Sequence, residues 1–312
     1  MTFAAVFPGQ GSQSLGMLAA LAGGHPEVQA TFAEASAALG YDLWAITQQG
    51  PEARLNSTEC TQPALLAAGV AAWRVWKGSN GPDPVAMAGH SLGEYTALVC
   101  SGALDFPSAV RLVEFRGQAM QHAVPPGQGA MAAILGLDDD AVRAACAEAA
   151  QGDVVAAVNF NSPGQVVIAG SAQAVERAIA ACNARGAKRA LPLPVSVPSH
   201  CELMRPAAEK LAARLAGLQI SKPNIPVIHN VDVSSHAAAD EIRAALTSQL
   251  YSPVRWVESV QRLGKSGATM LIEFGPGKVL AGLTKRIDKG IAAHPVYDPE
   301  TLQTALNATG AL

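Results

Sequence analysis

The sequence predicts an α/β protein in which a mostly parallel sheet is covered by helices on both faces, with a small ferredoxin-like α+β subdomain inserted. Two observations lead to this fold. Short apolar strands alternate with helical patterns through most of the 312 residues, and such alternation is typical of parallel sheets buried on both faces. In the middle of the chain the order changes to β-α-β-β-α-β, which is the order of the ferredoxin-like unit.

The large domain is predicted to comprise residues 1–125 and 199–312. Its strands are expected at 3–7, 85–88, 227–230 and 270–274. Its helices are expected at 26–39, 61–76, 92–100, 107–122, 201–216 and 253–263, in a segment that ends near residue 287, and in the tail after Tyr297. Pro63 suits the first turn of the helix at 61–76, where the N–H that proline lacks is not used.

The inserted subdomain is predicted to span residues 126–198, after the break at Pro125–Gly129 (PPGQG). Its strands are expected at 130–135, 154–158, 165–169 and 187–195, and its helices at 138–150 and 171–184. Asn161–Gly164 (NSPG) is expected to form the turn between the second and third strands.

The composition restricts the classes of function. Only 15% of residues are charged and the net charge is -3, whereas a nucleic-acid partner needs a basic face. We find no continuously apolar window of about 20 residues and no basic n-region before Gln10, so neither a membrane span nor a secretory signal is expected. Five scattered cysteines without a C-x-x-C pair indicate free thiols in the cytoplasm and no metal site. We take a monomer as the starting assumption.

The segment Gly89–Gly93 (GHSLG) has the pattern G-x-S-x-G between a predicted strand and a predicted helix. A nucleophile elbow of a hydrolase-like α/β fold occupies that position, since two glycines allow a sharp turn that exposes the serine. Ser91 would be the nucleophile, and the N–H of Leu92 would face a developing oxyanion. A second interpretation stays open, in which Ser91 only caps the helix.

A serine hydroxyl needs a base to react at neutral pH, and seven histidines are available. His200 stands in a loop between a predicted strand and a helix, where catalytic groups gather. An ordinary polar histidine remains the alternative for each of the seven. A hydrolase triad would place an acid between serine and histidine in chain order. The aspartates in that interval do not follow strands of the large domain, so a backbone carbonyl could orient the imidazole instead.

The N-terminal loop invites a different interpretation, because Gly9 and Gly11 begin a G-x-G pattern. The next glycine is Gly16, two residues too late for the dinucleotide fingerprint, and the sequence contains no P-loop. No nucleotide cofactor is therefore expected.

Five motifs in order along the chain closely resemble the malonyl-CoA:acyl-carrier-protein transacylases, the discrete acyltransferases of fatty acid synthesis. They are FPGQGSQ at 7–13, GHSLGEY at 89–95, VSVPSH at 195–200, LYSPVRW at 250–256 and EFGPG at 273–277. The match runs from about residue 3 to about residue 290. Such a collinear set is much more specific than one G-x-S-x-G.

The resemblance implies a role for individual residues. Ser91 would take the acyl group, and His200 would act first as base and then as acid. The backbone carbonyl of Gln249 would orient the imidazole, and the N–H groups of Gln10 and Leu92 would form the oxyanion hole.

Arg116 matches the arginine that binds the free malonyl carboxylate in this family. A guanidinium can meet a carboxylate with two parallel hydrogen bonds, which would favour malonyl over acetyl. Without the family match, a solvated arginine on the helix at 107–122 would be the preferred interpretation. Met120 lies one turn further and could share the pocket or pack in the core. Asn161 could line the pocket or belong to a turn.

The implied reaction is ping-pong transfer of malonyl from malonyl-CoA, through a malonyl-Ser91 ester, to the phosphopantetheine thiol of acyl carrier protein. Both thioesters are substrates, so no cofactor is implied. An acyltransferase of a polyketide pathway and a serine thioesterase remain alternatives. Ser199 departs from the Phe common before the histidine in malonyl-selective polyketide acyltransferase domains, and this leaves the selectivity against α-methyl groups open.

Overall fold

The structure, a computed structural model, describes residues 1–195 and 197–310. Ser196, which belongs to the motif at 195–200, and residues 311–312 lie outside the described part. The larger sheet has five parallel strands. Across this sheet they are ordered β7 (Val227–Ile228), β2 (Met87–Gly89), β1 (Phe3–Phe7), β8 (Met270–Phe274) and β9 (Ala292–Val296).

The central strand β1 is buried on both faces. Phe3, Ala5 and Phe7 face one hydrophobic core, while Ala4 and Val6 face the other. Side chains alternate along a strand, so a strand covered on both sides must be apolar at every position. The run FAAVF has this character, and the predicted parallel sheet with helices on both faces is confirmed.

The larger core lies between the sheet and a set of helices that supply most of its side chains. They are α1 (Ala19–Ala22), α2 (Pro26–Leu39), α3 (Leu43–Gln49), α4 (Glu52–Leu55), α5 (Thr58–Gly78), α6 (Gly93–Cys100), α7 (Phe106–Gln121), α10 (Arg205–Ala216), α11 (Ala239–Gln249) and α14 (Pro299–Thr309). The other face is covered by α12 (Trp256–Lys265) and α13 (Val279–Ile287). Glu202–Met204 forms a short 3₁₀ turn before α10. Within the described ranges, no helix is long and apolar enough to cross a membrane.

The second sheet is antiparallel and lies wholly within the middle of the chain. Its strands are ordered β4 (Val155–Ser162), β5 (Gln165–Ser171), β3 (Gly129–Leu135) and β6 (Arg189–Pro192). Helices α8 (Asp139–Ala150) and α9 (Ala172–Ala184) share a core with one face of this sheet. The ferredoxin-like order is confirmed, whereas the exact domain boundaries at 125/126 and 198/199 stay predictions.

The two sheets are joined through β4. Phe160 donates its N–H to the carbonyl of Val254 at 3.0 Å, and Val254 returns a 2.8 Å bond to Val158. Val254 lies just before α12, at the edge of the larger sheet where its parallel strands end. The contact therefore fixes the smaller sheet beside that edge.

Several local predictions were wrong. Helix α5 begins at Thr58 rather than at residue 61, so Pro63 lies inside the helix and not in its first turn. Burial of nearly every α5 side chain outweighs the loss of one backbone hydrogen bond. Strand β4 continues through Ser162, so Asn161 is a strand residue and only Pro163–Gly164 form the turn. The strand expected at 187–195 is shorter, Arg189–Pro192.

Candidate active site

Ser91 occupies a sharp turn between β2 and α6. Its φ of 51° lies in the left-handed region, which non-glycine residues rarely adopt. The glycines on either side are required by close backbone approach. A Cβ at Gly89 would lie 1.8 Å from the carbonyl carbon of Gly93, and a Cβ at Gly93 would lie 2.0 Å from the carbonyl oxygen of Phe7. The segment has the strand–turn–helix geometry that a nucleophile elbow needs.

The hydroxyl of Ser91 is paired with His200. Ser91 Oγ lies 2.8 Å from His200 Nε2, and His200 Nδ1 lies 2.7 Å from the backbone carbonyl oxygen of Gln249. Gln249 is the last residue of α11, where helix carbonyls lack intrahelical partners and carry partial negative charge. That carbonyl fixes the tautomer with a proton on Nδ1 and leaves Nε2 free to accept the serine proton.

The imidazole of His200 is held in its neutral form. Burial, and then the positive charge of Arg116, lower its pKa to about 3, although the hydrogen bond to Gln249 acts in the opposite direction. A neutral imidazole at pH 7 can accept a proton without first losing one.

Arg116 lies beside the same hydroxyl. The side chain, on α7, is 1% exposed, so the alternative of a solvated surface arginine is wrong. Its Nη2 lies 3.3 Å from Ser91 Oγ and 3.0 Å from Gln249 Oε1, while Nη1 lies 2.9 Å from Gln62 Oε1. These partners are uncharged, and no carboxylate in the described residues forms an ion pair with Arg116. The arrangement leaves a buried cation available to an anionic ligand.

A cavity of about 120 Å³ opens between Ser91 and the smaller sheet. Ser91, His200 and Arg116 form its polar side, and Met120 lines it from α7. Met131 and other apolar residues of the inserted segment form the opposite wall. This cavity can hold a short acyl group whose far end carries a negative charge.

The small cavity shares part of its wall with a wider cleft of about 520 Å³. Asn161 lines this outer cleft and not the inner cavity, and its Oδ1 lies 2.8 Å from His90 Nε2. Of the two residues predicted less directly, Met120 is therefore close to the reacting serine and Asn161 is further out. The two connected spaces suit a substrate with a short acyl head on a longer arm.

Two backbone N–H groups flank the serine. Neither Gln10 nor Leu92 donates its N–H to another residue in the described part of the chain, and both residues line the inner cavity. Gly9 brings the loop close, because a Cβ there would lie 2.5 Å from the carbonyl oxygen of His90. The pair can therefore serve as donors to an oxyanion.

The sequence interpretation did not assign any role to several polar residues around the elbow. Asn230 accepts the N–H of Ser91 at 2.8 Å and donates to the carbonyl of Gly89 at 2.7 Å. It comes soon after β7, beside β2, so the rule that groups gather at the carboxyl edge of a parallel sheet could have found it. Glu94 belongs to the GHSLGEY motif, and its position as a lone acid in an apolar helix is the sequence signal that could have found it. No comparable feature of the sequence points to Gln62 as a residue of the site.

Comparison with known proteins agrees with this geometry. Residues 4–297 match the family model described as acyl transferase domain. The chain is 62% identical over 304 residues to the malonyl CoA-acyl carrier protein transacylase of Escherichia coli (strain K12), covering 97% of this chain and 98% of that protein.

Solved structures agree as well. A malonyl-transacylase determined in complex with its type II PKS acyl-carrier protein superimposes with a TM-score of 0.98 at 61% identity, covering 99% of this chain and 100% of that one. An acyl carrier protein S-malonyltransferase from Vibrio cholerae gives 0.96 at 60% identity, covering 98% and 100%. The chain therefore belongs to the acyl transferase domain family and, within it, to the family of malonyl CoA-acyl carrier protein transacylases that its motifs resemble.

Proposed function

We propose that this chain transfers the malonyl group of malonyl-CoA to the phosphopantetheine thiol of an acyl carrier protein, and so supplies malonyl-carrier for fatty acid synthesis. The observation that carries the proposal is the buried guanidinium of Arg116, 3.3 Å from Ser91 Oγ and without a carboxylate partner among the described residues. An acyl group bound to Ser91 and ending in a carboxylate would complete that site.

The preference for malonyl over acetyl follows from desolvation. A buried cation without a counter-ion is unfavourable, and the malonyl carboxylate can satisfy it with two parallel hydrogen bonds. An acetyl group leaves Arg116 with uncharged partners such as Gln62 and Gln249. The chemistry of the pocket therefore selects for charge at the end of the acyl group.

In the first half-reaction, His200 Nε2 takes the proton of Ser91 as Oγ attacks the thioester carbonyl carbon. The resulting oxyanion accepts hydrogen bonds from the N–H groups of Gln10 and Leu92, whose removal in such sites typically costs ~10²–10³ in rate. The carbon–sulfur bond then breaks, and the proton on His200 passes to the departing thiolate of coenzyme A. A malonyl-Ser91 ester remains.

The second half-reaction uses the same groups in reverse. The carrier thiol gives its proton to His200 and attacks the ester carbonyl carbon. The carbon–oxygen bond breaks, and Ser91 Oγ recovers its proton from the imidazolium. Every proton is accounted for by Ser91, His200 and the two thiols, so we propose that the enzyme works without a cofactor, with ping-pong kinetics.

The acyl carrier protein is the proposed partner because one relative was determined in complex with its type II PKS acyl-carrier protein. That observation also favours a second candidate function, in which a polyketide carrier receives the malonyl group. We further propose a monomer, to be checked by light scattering. The five cysteines are all unpaired, which suits a reducing compartment, and we propose the cytoplasm.

Intact-protein mass spectrometry after brief mixing with malonyl-CoA, and separately with acetyl-CoA, tests the proposal. We expect one malonyl adduct, a much weaker acetyl adduct, and neither in Ser91→Ala. Phosphopantetheinylated carriers of fatty-acid and polyketide type, added separately, should discharge the adduct at rates that rank the two candidate pathways. Release of free malonate without a carrier, with no adduct, would instead identify a hydrolase.

A further inference from the structure

Glu94 is a buried acid next to the elbow that the reaction described above does not use. It lies in the first turn of α6 and its side chain is 0% exposed. In the described part of the chain, the walls of the inner cavity include Arg116 but not Glu94. Any influence of Glu94 on the substrate must therefore act through other residues.

The carboxylate of Glu94 accepts three hydrogen bonds, all from buried groups. Oε1 lies 2.7 Å from His229 Nδ1. Oε2 accepts the backbone N–H of Asn230 and the side-chain Nε2 of Gln249, each at 2.9 Å. An ionised carboxylate only accepts, so each partner must present a donor to it.

That requirement decides how the side-chain amide of Gln249 is oriented. Its Nε2 donates to Glu94 Oε2 and also to the backbone oxygen of Ser91 at 3.0 Å, so two acceptors face the amide nitrogen. The amide oxygen consequently points the other way and accepts Nη2 of Arg116 at 3.0 Å. Reversing the amide would set donors against the guanidinium and an acceptor against the carboxylate.

We propose that Glu94 is a positioning residue for acyl-group selection: by fixing the amide of Gln249, it holds the Arg116 guanidinium where it meets the malonyl carboxylate. The same oxygen of Glu94 anchors the backbone of Asn230, whose side chain accepts the N–H of Ser91. One carboxylate thus links the cation that selects the acyl group to the turn that bears the serine. The inference rests on the proposed malonyl transfer.

Glu94→Gln is nearly isosteric and tests the proposal through the ratio of kcat/KM for malonyl-CoA to that for acetyl-CoA. A glutamine cannot accept from all three donors, so the orientation of the Gln249 amide is held less firmly, with the backbone oxygen of Ser91 as its remaining acceptor. We expect the ratio to fall about tenfold, through a higher KM for malonyl-CoA, as hydrogen bonds to charged groups are worth this much. A purely electrostatic role would act in the opposite direction, since removing a nearby negative charge would strengthen the attraction of Arg116 for malonyl. A ratio that is unchanged or higher in a folded variant overturns the proposal.

Glu273→Gln is the matched control. Like Glu94, Glu273 is a buried acid that accepts hydrogen bonds. Its donors are the N–H groups of Leu280 and Ala281 in the first turn of α13. Its replacement should leave the ratio unchanged. The wild-type protein distinguishes failure of the proposed function from failure of the positioning role. If the wild-type protein shows no preference for malonyl-CoA, the proposed function fails. If the wild-type preference is retained in Glu94→Gln, only the positioning role fails.

A double-mutant cycle identifies the route of the effect. Gln249→Met removes the side-chain amide but keeps the backbone carbonyl that holds His200, so the ratio of the two kcat/KM values should fall. If Glu94 acts through this amide, adding Glu94→Gln to Gln249→Met should lower the ratio no further. Additive losses would contradict the proposal. If Glu94→Gln fails to fold, Gln249→Met decides alone, and an unchanged ratio there overturns the inference.

Discussion

The guanidinium of Arg116 lies 3.3 Å from the hydroxyl of Ser91, and the two groups share one small cavity. A carboxylate at the end of a short acyl chain bound at Ser91 can therefore reach Arg116. Recognition of the acyl group and attachment of that group therefore occur in the same place. Comparing malonyl-CoA with acetyl-CoA, which differ in the carboxylate, tests the part that the charge of Arg116 plays in recognition.

Arg116→Ala is expected to lower kcat/KM for malonyl-CoA by about 10²-fold, because a bidentate charge-assisted interaction is lost. The kcat/KM for acetyl-CoA should fall much less, since acetyl has no carboxylate for Arg116 to bind. Steady-state kinetics with both thioesters measures the change. Arg116→Lys serves as a second variant, in which a retained charge without the planar fork should recover only part of the preference. Equal losses for both substrates would count against selection by Arg116.

The pH dependence of acylation follows from the depressed pKa of His200, which burial and the charge of Arg116 lower to about 3. An imidazole with the ordinary pKa of about 6.5 would be mostly protonated at pH 5, whereas His200 should still be neutral there. We expect the rate constant for formation of the malonyl adduct to vary by no more than about twofold from pH 8 to pH 5. Rapid-quench mass spectrometry measures it directly.

Arg116→Ala provides the control for this profile. Removing the cation takes away one cause of the lowered pKa and leaves burial, the larger one, so the acid limb of the acetyl-CoA profile should move to higher pH. A wild-type rate that falls tenfold per unit below pH 6.5 would contradict a buried, neutral His200.

The elbow and the base could be predicted because the sequence carries local signals for both. Gly89 and Gly93 are dictated by backbone contacts, and the strand and helix around Ser91 have clear hydrophobic patterns. His200 follows a strand in a sheet-edge loop. The α/β class followed in the same way, from the alternation of buried strands and helices.

Other parts of the site have no local signature. The carbonyl of Gln249 is a backbone group, and any residue at the end of α11 could supply it, so only the family resemblance indicated it. Arg116 has the sequence context of a surface residue, and its burial depends on packing between α5 and α7. Strand β9 was missed because it is a half-buried edge strand containing Pro295. Helix α3 could have been found, since Asp42 caps it through the N–H of Ala45.

Gly93→Ala should disrupt the elbow, because the new Cβ would lie 2.0 Å from the carbonyl oxygen of Phe7 in the central strand. Neither set of backbone atoms can move without strain. We therefore expect the free energy of unfolding to fall by about 3 kcal/mol or more, as in other cases of severe overpacking. Gly282 in α13 is the matched control, since nothing lies within 4 Å of a Cβ built there. Gly282→Ala should stabilise the protein by about 0.5–1 kcal/mol. Thermal unfolding of both variants checks the contrast, and similar melting temperatures would contradict it.

Glu273 gives the fold a pH dependence that can be measured apart from catalysis. It is buried at the end of β8, and burial raises its pKa to about 7, despite hydrogen bonds from the backbone N–H groups of Ala281 and Leu280. In the unfolded chain the carboxyl should titrate near its ordinary value of about 4.3. Between these values the folded state holds a proton that the unfolded state has released, so this group makes stability fall as pH rises through the window.

Glu273→Gln removes that dependence, since glutamine does not titrate. From pH 5 to pH 7.5, the free energy of unfolding of the wild-type protein should fall, relative to that of the variant, by on the order of 3 kcal/mol at most. Chemical denaturation at the two pH values measures this difference. At pH 5 the variant should be the less stable of the two, because a single amide oxygen replaces two acceptors for the N–H groups of α13. The same pH slope in both proteins would show that Glu273 stays ionised throughout, with the start of α13 compensating for its burial.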